Sequence, residues 1–199
     1  KGLKYFSDAL KKDWERVTPV LRHDLLTWLK GVSGAMAKLH SSPWPGTVKS
    51  TAPFLAKRSG AALRSIEESI KVTGNGKTID DIQGHIGGIW YLKTQEFGAT
   101  IRPKNVQYLT IPLPAAMDER GVPLKPKARD WDNTFVKRGK SGNLVIFQKA
   151  GDKIIPLYVL LKEVIIPPRL HMRDTLLAGK TAFIETAMRD MLQEMRKGP

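Results

Sequence analysis

Four histidines, His23, His40, His85 and His171, are the imidazoles available for chemistry in this chain. No two of them stand two to four residues apart, and no His-Glu-x-x-His run occurs, so no local metal pair is offered. Cysteine is absent, which removes thiolate zinc sites, disulfides, haem joined through Cys-x-x-Cys-His and cysteine nucleophiles. Ser59-Gly60 and Ser141-Gly142 sit in turn-like contexts without a Gly-x-Ser-x-Gly elbow. Gly74-Asn75-Gly76 lacks the Gly-Lys-Ser/Thr that completes a phosphate loop, so it reads as a turn. Among the carboxylates, Asp130 and Asp132 would share one face of a strand. With a third oxygen they could hold Mg²⁺, the arrangement of a metal-dependent nuclease. Pro126 and the surrounding charges instead mark that segment as a loop, and Asp80-Asp81 point to opposite faces if extended. The expectation is a protein with no catalytic, metal-binding or cofactor-binding residues.

The charge is the stronger signal. With 33 Lys and Arg against 19 Asp and Glu, the formal net charge over 199 residues is +14. Such an excess suits nucleic acid, acidic membrane surfaces or acidic protein partners. It is spread along the chain, with one concentration at Arg120, Lys125, Lys127, Arg129, Lys137, Arg138 and Lys140. Asp118, Glu119, Asp130 and Asp132 lie among them. A solvated loop, a DNA contact and a contact with an acidic protein rim all remain open for this segment. A hydrophobic content of 41%, with five Trp, excludes a mainly disordered chain. No apolar run approaches the roughly 20 residues that span a bilayer, and Lys1-Gly2-Leu3-Lys4 opens no signal-peptide pattern. A soluble chain that meets no membrane is expected.

The elements that would position these residues follow from periodicity and punctuation. Leu21, Leu25, Trp28, Leu29, Val32, Met36 and Leu39 recur at helical spacing over residues 18–39, with Thr18 as cap and Pro19 in the first turn. Leu3, Phe6, Leu10 and Trp14 suggest a shorter preceding helix ending near Pro19. Residues 41–46, punctuated by Pro43, Pro45 and Gly46, read as an extended link. A short helix over 59–69 is followed by a predicted hairpin, with 70–73 pairing 77–79 across Gly74-Asn75-Gly76. An aromatic helix over 89–97 stops at Gly98. Residues 108–113 suggest a strand that Pro112 confines to an edge or an end. Residues 114–132 are a long, charged, proline-bearing connection of the kind that is often functional. A meander over 135–136, 144–147 and 154–166 comes next, with Pro156 at an edge or bulge and Pro167-Pro168 ending the sheet. A methionine-rich amphipathic helix, built on Phe183, Ile184, Ala187, Met188, Met191, Leu192 and Met195, is predicted over 181–196 and assigned mainly to the core. The fold class is α+β, with N-terminal helices over 1–50 and an α+β core over 51–199.

Three stretches, in order, resemble one family. Arg58-Ser59-Gly60-Ala61-Ala62-Leu63-Arg64-Ser65-Ile66 resembles its basic, Thr/Ser-Gly, Leu, Ser-Ile segment, with one extra Ala. Trp90-Tyr91-Leu92-Lys93-Thr94-Gln95-Glu96-Phe97-Gly98 resembles its aromatic helix closing on Glu-Phe-Gly. Ile165-Ile166-Pro167-Pro168-Arg169 resembles its Ile-Pro-x-Arg segment before a final helix. The family is the neck, minor tail and tail-completion group of tailed bacteriophages, which includes tail-completion protein Z of lambda-like phages. The resemblance spans about residues 50–196, with Ser59 where Thr is commoner and a longer connection after Pro114. It implies a non-catalytic virion protein at the head–tail junction, assembled in the host cytoplasm as a symmetric ring of identical subunits. Neck, tail-terminator or tail-tube proteins would be partners, with DNA a possible contact. A non-catalytic protein that binds the phosphate backbone of nucleic acid is the alternative. Independently of the family, Gly98 can let the chain leave a helix in a left-handed conformation, and Trp90 and Phe97 can anchor that helix on the sheet. Glu96 can cap or pair with a basic neighbour.

Overall fold

The apolar stripe that begins at Trp14 continues through Val17, Leu21, Leu29, Val32 and Met36, in phase across Pro19. The computed structural model describes residues 2–42 and 54–197, with side chains from Lys11 onward. It shows one helix, α1 (Gly2–Leu39), where two were expected, with Pro19 inside it. Pro19 lacks the N–H that would reach back one turn, at a cost of about 3 kcal/mol. Burial on both sides of it offsets that cost: Val17, Leu21, Leu29, Val32 and Met36 are all buried. Thr18 caps nothing; its hydroxyl donates to the Trp14 carbonyl at 2.8 Å. Gly31 and Gly34 stay inside the helix. The side chains of Leu3, Phe6 and Leu10, the link at 43–46 and the division near residue 50 lie outside the described residues.

The protein is α+β, and the chain forms two units. Among the described residues, one unit takes 2–38, 61–90 and 171–197, and the other takes 39–42, 54–60 and 91–170. In the first unit, α2 (Ala61–Ser69) begins after Gly60, whose φ is +74°. Ile66 of α2 is fully buried. The hairpin differs from expectation. β1 (Lys71–Thr73) pairs antiparallel with β2 (Gln83–His85), across a loop holding a short 3-10 turn, Ile79–Asp81. Gly74 and Gly76 both take positive φ, but they open a longer loop than the two-stranded turn they suggested. The Arg22 guanidinium of α1 donates to the carbonyls of Val72 and Gly74 at 3.1 and 2.7 Å, and the Trp14 indole N–H donates to Gly76. These bonds satisfy carbonyls that a free loop would leave to water.

The last helix of the chain, α4 (Met172–Arg196), belongs to the same unit and starts nine residues before the predicted 181. His171 precedes it with φ +55°, and its carbonyl accepts the Thr175 amide at 3.1 Å. Phe183 stacks on Trp28 of α1 with ring centroids 4.6 Å apart. The methionine-rich stripe is only partly core. Ala187 is buried, but Ile184, Met188, Leu192 and Met195 are exposed.

In the second unit, α3 (Leu92–Phe97) is a six-residue helix ended by Gly98, and β3 (Ala99–Ile101) follows at once. Gly98 has φ +72° and ψ 166°. That is not the left-handed helical region but an extended mirror region that is essentially reserved for glycine. β4 (Leu109–Pro112) is an edge strand and ends at its proline, the two positions open to it. β5 (Thr134–Arg138), β6 (Leu144–Ala150) and β7 (Lys153–Leu161) complete an antiparallel sheet of order β4-β7-β6-β5. The ladder between β6 and β7 is irregular at Ile146/Phe147, opposite Tyr158 and Pro156, so Pro156 marks a bulge in a central strand. The predicted strand over 154–166 divides, since β8 (Val164–Ile166) leaves that sheet and pairs with β3. β8 ends where Pro167-Pro168 begins. His40 is buried, with Nε2 2.9 Å from the Leu170 carbonyl and Nδ1 3.3 Å from that of Leu55.

Candidate interaction site

The residues singled out for chemistry are not brought together. Among the described residues, no group of three or more His, Asp or Glu side chains could hold a metal ion. Asp81 accepts the Thr78 amide at 3.0 Å and Asp130 accepts the Lys127 amide at 3.0 Å, so both carboxylates close turns. Asp130 stands in a 3-10 turn, Ala128–Asp130, and not in a strand. His85 meets the Thr73 hydroxyl at 2.8 Å, and His171 meets Asp174 at 3.1 Å. No described helix is long and apolar enough to cross a membrane.

The basic connection is an ordered cover over the sheet. Ala116 is fully buried, Met117 nearly so, and Met117 forms an isolated bridge with Pro123. Asp118 closes the turn, accepting the amides of Arg120 and Val122 at 2.9 and 2.8 Å and the Arg120 guanidinium at 3.2 Å. Those bonds, the Val122 amide first, hold the Asp118 pKa below the usual carboxylate range. Trp131 packs on the cluster of Ala116, Leu157 and Tyr158, and its indole N–H donates to the Tyr158 hydroxyl at 3.0 Å. Charge and prolines left a solvated loop open as one reading; the apolar residues between them fasten the segment down.

This cover leaves a cleft of about 530 Å³ whose walls include Lys125, Lys127 and Arg129 on one side and Thr134, Val136 and Ile146 on the other. Val136, Ile146 and Tyr158 are successive partners across the sheet, so one face forms the floor. Three of the seven predicted contact residues therefore share one site. Lys125 also donates to the Asp130 carbonyl at 2.7 Å and lies 5.2 Å from the Trp131 ring centroid. Arg120 is engaged by Asp118 outside the cleft. Lys137 and Arg138 lie on β5, where the Arg138 guanidinium donates to the Gly142 carbonyl at 2.7 Å, and Lys140 is in the turn beyond it.

The motif residues divide between framework and surface. The Ser65 hydroxyl donates to the Ala62 carbonyl at 2.7 Å and accepts the Ile89 amide at 3.1 Å, tying α2 to the chain before Trp90. Leu63 of the same segment is half-buried in α2. The second and third segments meet. The Gln95 carbonyl accepts the amides of Arg169 and Leu170 at 2.7 and 2.9 Å, while Gly98 lies against Ile166 and Pro168. Glu96, next to that junction, is half-buried. Trp90 and Phe97 do not anchor α3 on the sheet. They are 86% and 64% exposed, and Ile165 is 70% exposed. Leu92, buried at 4%, is the anchor that aromatic type had concealed.

No family model, curated protein or solved structure matches this chain.

A second feature escaped the sequence. On α1, Oδ2 of Asp24 is buried without a hydrogen-bond partner. Burial, and then the nearby Asp190, raise its pKa above the usual carboxylate value, against His23 and Arg189. The folded state thus holds this proton more tightly than the unfolded chain, so ionisation is a penalty that grows as pH rises past the ordinary carboxylate range. Asp24→Asn is expected to raise the melting temperature at pH 7 by about 3 °C. The gain should vanish below pH ~3, where both states are protonated; thermal scans at the two pH values check it.

Proposed function

We propose that this chain is a neck or tail-completion subunit of a tailed bacteriophage, which joins head to tail by closing into a symmetric ring around the DNA path. Its role is assembly, without catalysis, in a virion built in the host cytoplasm. The ordered set of three family-like segments supports the reading. The observation that carries it is the outward presentation of Trp90, Phe97 and Ile165 in the second and third of them. Large apolar side chains left in water are available for a partner to cover. In a closed ring each copy meets two neighbours, so apolar side chains exposed on every subunit can be covered at each boundary. Negative-stain imaging of the purified protein, alone and mixed with phage tails, tests the reading. Rings or capped tail ends are expected, and monodisperse particles that leave tail ends bare would refute it.

The cleft carrying Lys125, Lys127 and Arg129 supports the second reading, recognition of a nucleic-acid backbone. Deleting residues 118–132 would not test it, because Trp131 is part of the packed cover. Replacing the three basic residues by Gln keeps that cover. If all three contact phosphate, the slope of log affinity for duplex DNA against log salt falls in magnitude by about 2.7. An unchanged slope removes these residues from any DNA contact.

A further inference from the structure

The sheet has one edge whose free hydrogen-bonding groups can be assigned residue by residue. The Lys149 amide donates to the Asn133 carbonyl at 3.0 Å, and the Gly139 amide donates to the Asn143 carbonyl at 2.8 Å. Both pairs belong to the register that matches Phe135 with Phe147 and Lys137 with Val145. In an antiparallel ladder, hydrogen-bonded and non-bonded pairs alternate. Residues 133, 135, 137 and 139 therefore face β6, and Thr134, Val136 and Arg138 turn their N–H and C=O groups to the outside. All five residues of β5 are exposed, and β5 is the terminal strand of its sheet. It contains no proline, unlike β4 at the other edge. Three donors and three acceptors thus stand in a row, at the spacing that a further strand would match.

We propose that β5 receives an acidic, extended segment of a partner protein as a fifth strand of the sheet. The backbone of that segment would pair with Thr134, Val136 and Arg138. Alternate side chains would fall toward the cleft walled by Thr134 and Val136. Their carboxylates would face Lys127, Arg129 and Arg138, which supplies charge complementarity as well as register. The same charges disfavour a second copy of β5 as the occupant, because it would bring further Lys and Arg to this edge in place of carboxylates. The inference does not depend on the head–tail reading, and its failure would leave that reading intact.

The test uses the full chain and a fluorescein-labelled nonapeptide of alternating Glu and Val, blocked at both ends. A 20-base-pair duplex serves as the competing class of ligand. Val136→Pro removes one outward N–H but none of the bonds to β6, so the sheet retains its ladder. Val136→Ala keeps the N–H. Binding of the peptide is expected to weaken at least tenfold in Val136→Pro and to change less than twofold in Val136→Ala. Hydrogen exchange of the wild-type chain supplies a readout that no variant can compromise: peptide should slow the amides of 134, 136 and 138 at least tenfold. The proposal is overturned by any of three results. These are no peptide binding at about 1 mM, no added protection at those amides, or equal binding by Val136→Pro. Duplex binding that outlasts Val136→Pro while the peptide fails to bind would assign the surface to nucleic acid.

Discussion

Gly98→Ala should remove about 4 kcal/mol of stability, the largest loss expected from any motif residue. Two costs add. At φ +72° and ψ 166° the backbone occupies a region that an L side chain enters only under strain, at about 1–3 kcal/mol. A methyl group there would also stand 2.9 Å from the Ile166 carbonyl oxygen, 3.1 Å from Pro168 Cδ and 3.3 Å from Pro168 N. The neighbours cannot easily withdraw. Ile166 is paired with Ala99, and the chain beyond Pro168 is held by the two amides that reach Gln95. Relief would therefore break the β3–β8 pairing or lift the 169–170 segment from α3. Gly142 supplies the control, since its φ is +81° but nothing lies within 4 Å of an added Cβ. Gly142→Ala should cost only the conformational part, about 1 kcal/mol. Urea unfolding of the three proteins measures both differences. Equal losses at the two glycines would mean that the close approach at Gly98 is not a constraint.

How far this arrangement was legible depends on which force decided each element. Gly98, Pro112, Pro156 and Pro167-Pro168 impose backbone rules that few neighbours can override, and the helix stop, edge strand, bulge and sheet end all follow from them. Pro19 shows the exception. Its rule was overridden because Val17 joins the stripes on either side into one buried face. The hairpin after Ile70 was misread for the opposite reason. Gly74 and Gly76 signal a turn but not its length, and the strand that pairs with Lys71–Thr73 is the polar Gln83–His85. Nothing in the apolar pattern of 154–166 shows that Lys162 and Glu163 separate strands of two different sheets. Leu176 and Leu177 lie upstream of Gly179, so the start of α4 was read too late. The candidate site was legible in its charges but not in its support. Ala116, Met117 and Trp131 are ordinary apolar residues until tertiary structure places them on Leu157 and Tyr158. The outward groups of Thr134, Val136 and Arg138 are set by register alone, which composition does not carry.

In the proposed ring, Trp90→Ala combined with Phe97→Ala should abolish assembly while leaving the subunit folded. Aromatic type argued for core at both positions, and exposures of 86% and 64% place them in solvent instead. The exposed part of each ring leaves water only when a partner covers it. A buried Trp or Phe removes roughly 150–250 Å² from water, and aromatic residues at the centre of an interface commonly cost 2 kcal/mol or more when truncated. Losing about 4 kcal/mol at each subunit boundary lowers the association constant there by roughly a thousandfold. Because a closed ring repeats the boundary on every subunit, the deficit recurs at each junction and the ring should disappear at micromolar protein. Thermal unfolding separates this from misfolding, since truncating side chains that lie mostly in water changes subunit stability by less than about 1 kcal/mol. Sedimentation velocity at matched concentration provides the decisive comparison. Rings that persist in the double variant would show that these aromatics lie outside the subunit boundary, and the assembly reading would then have lost the observation that carries it.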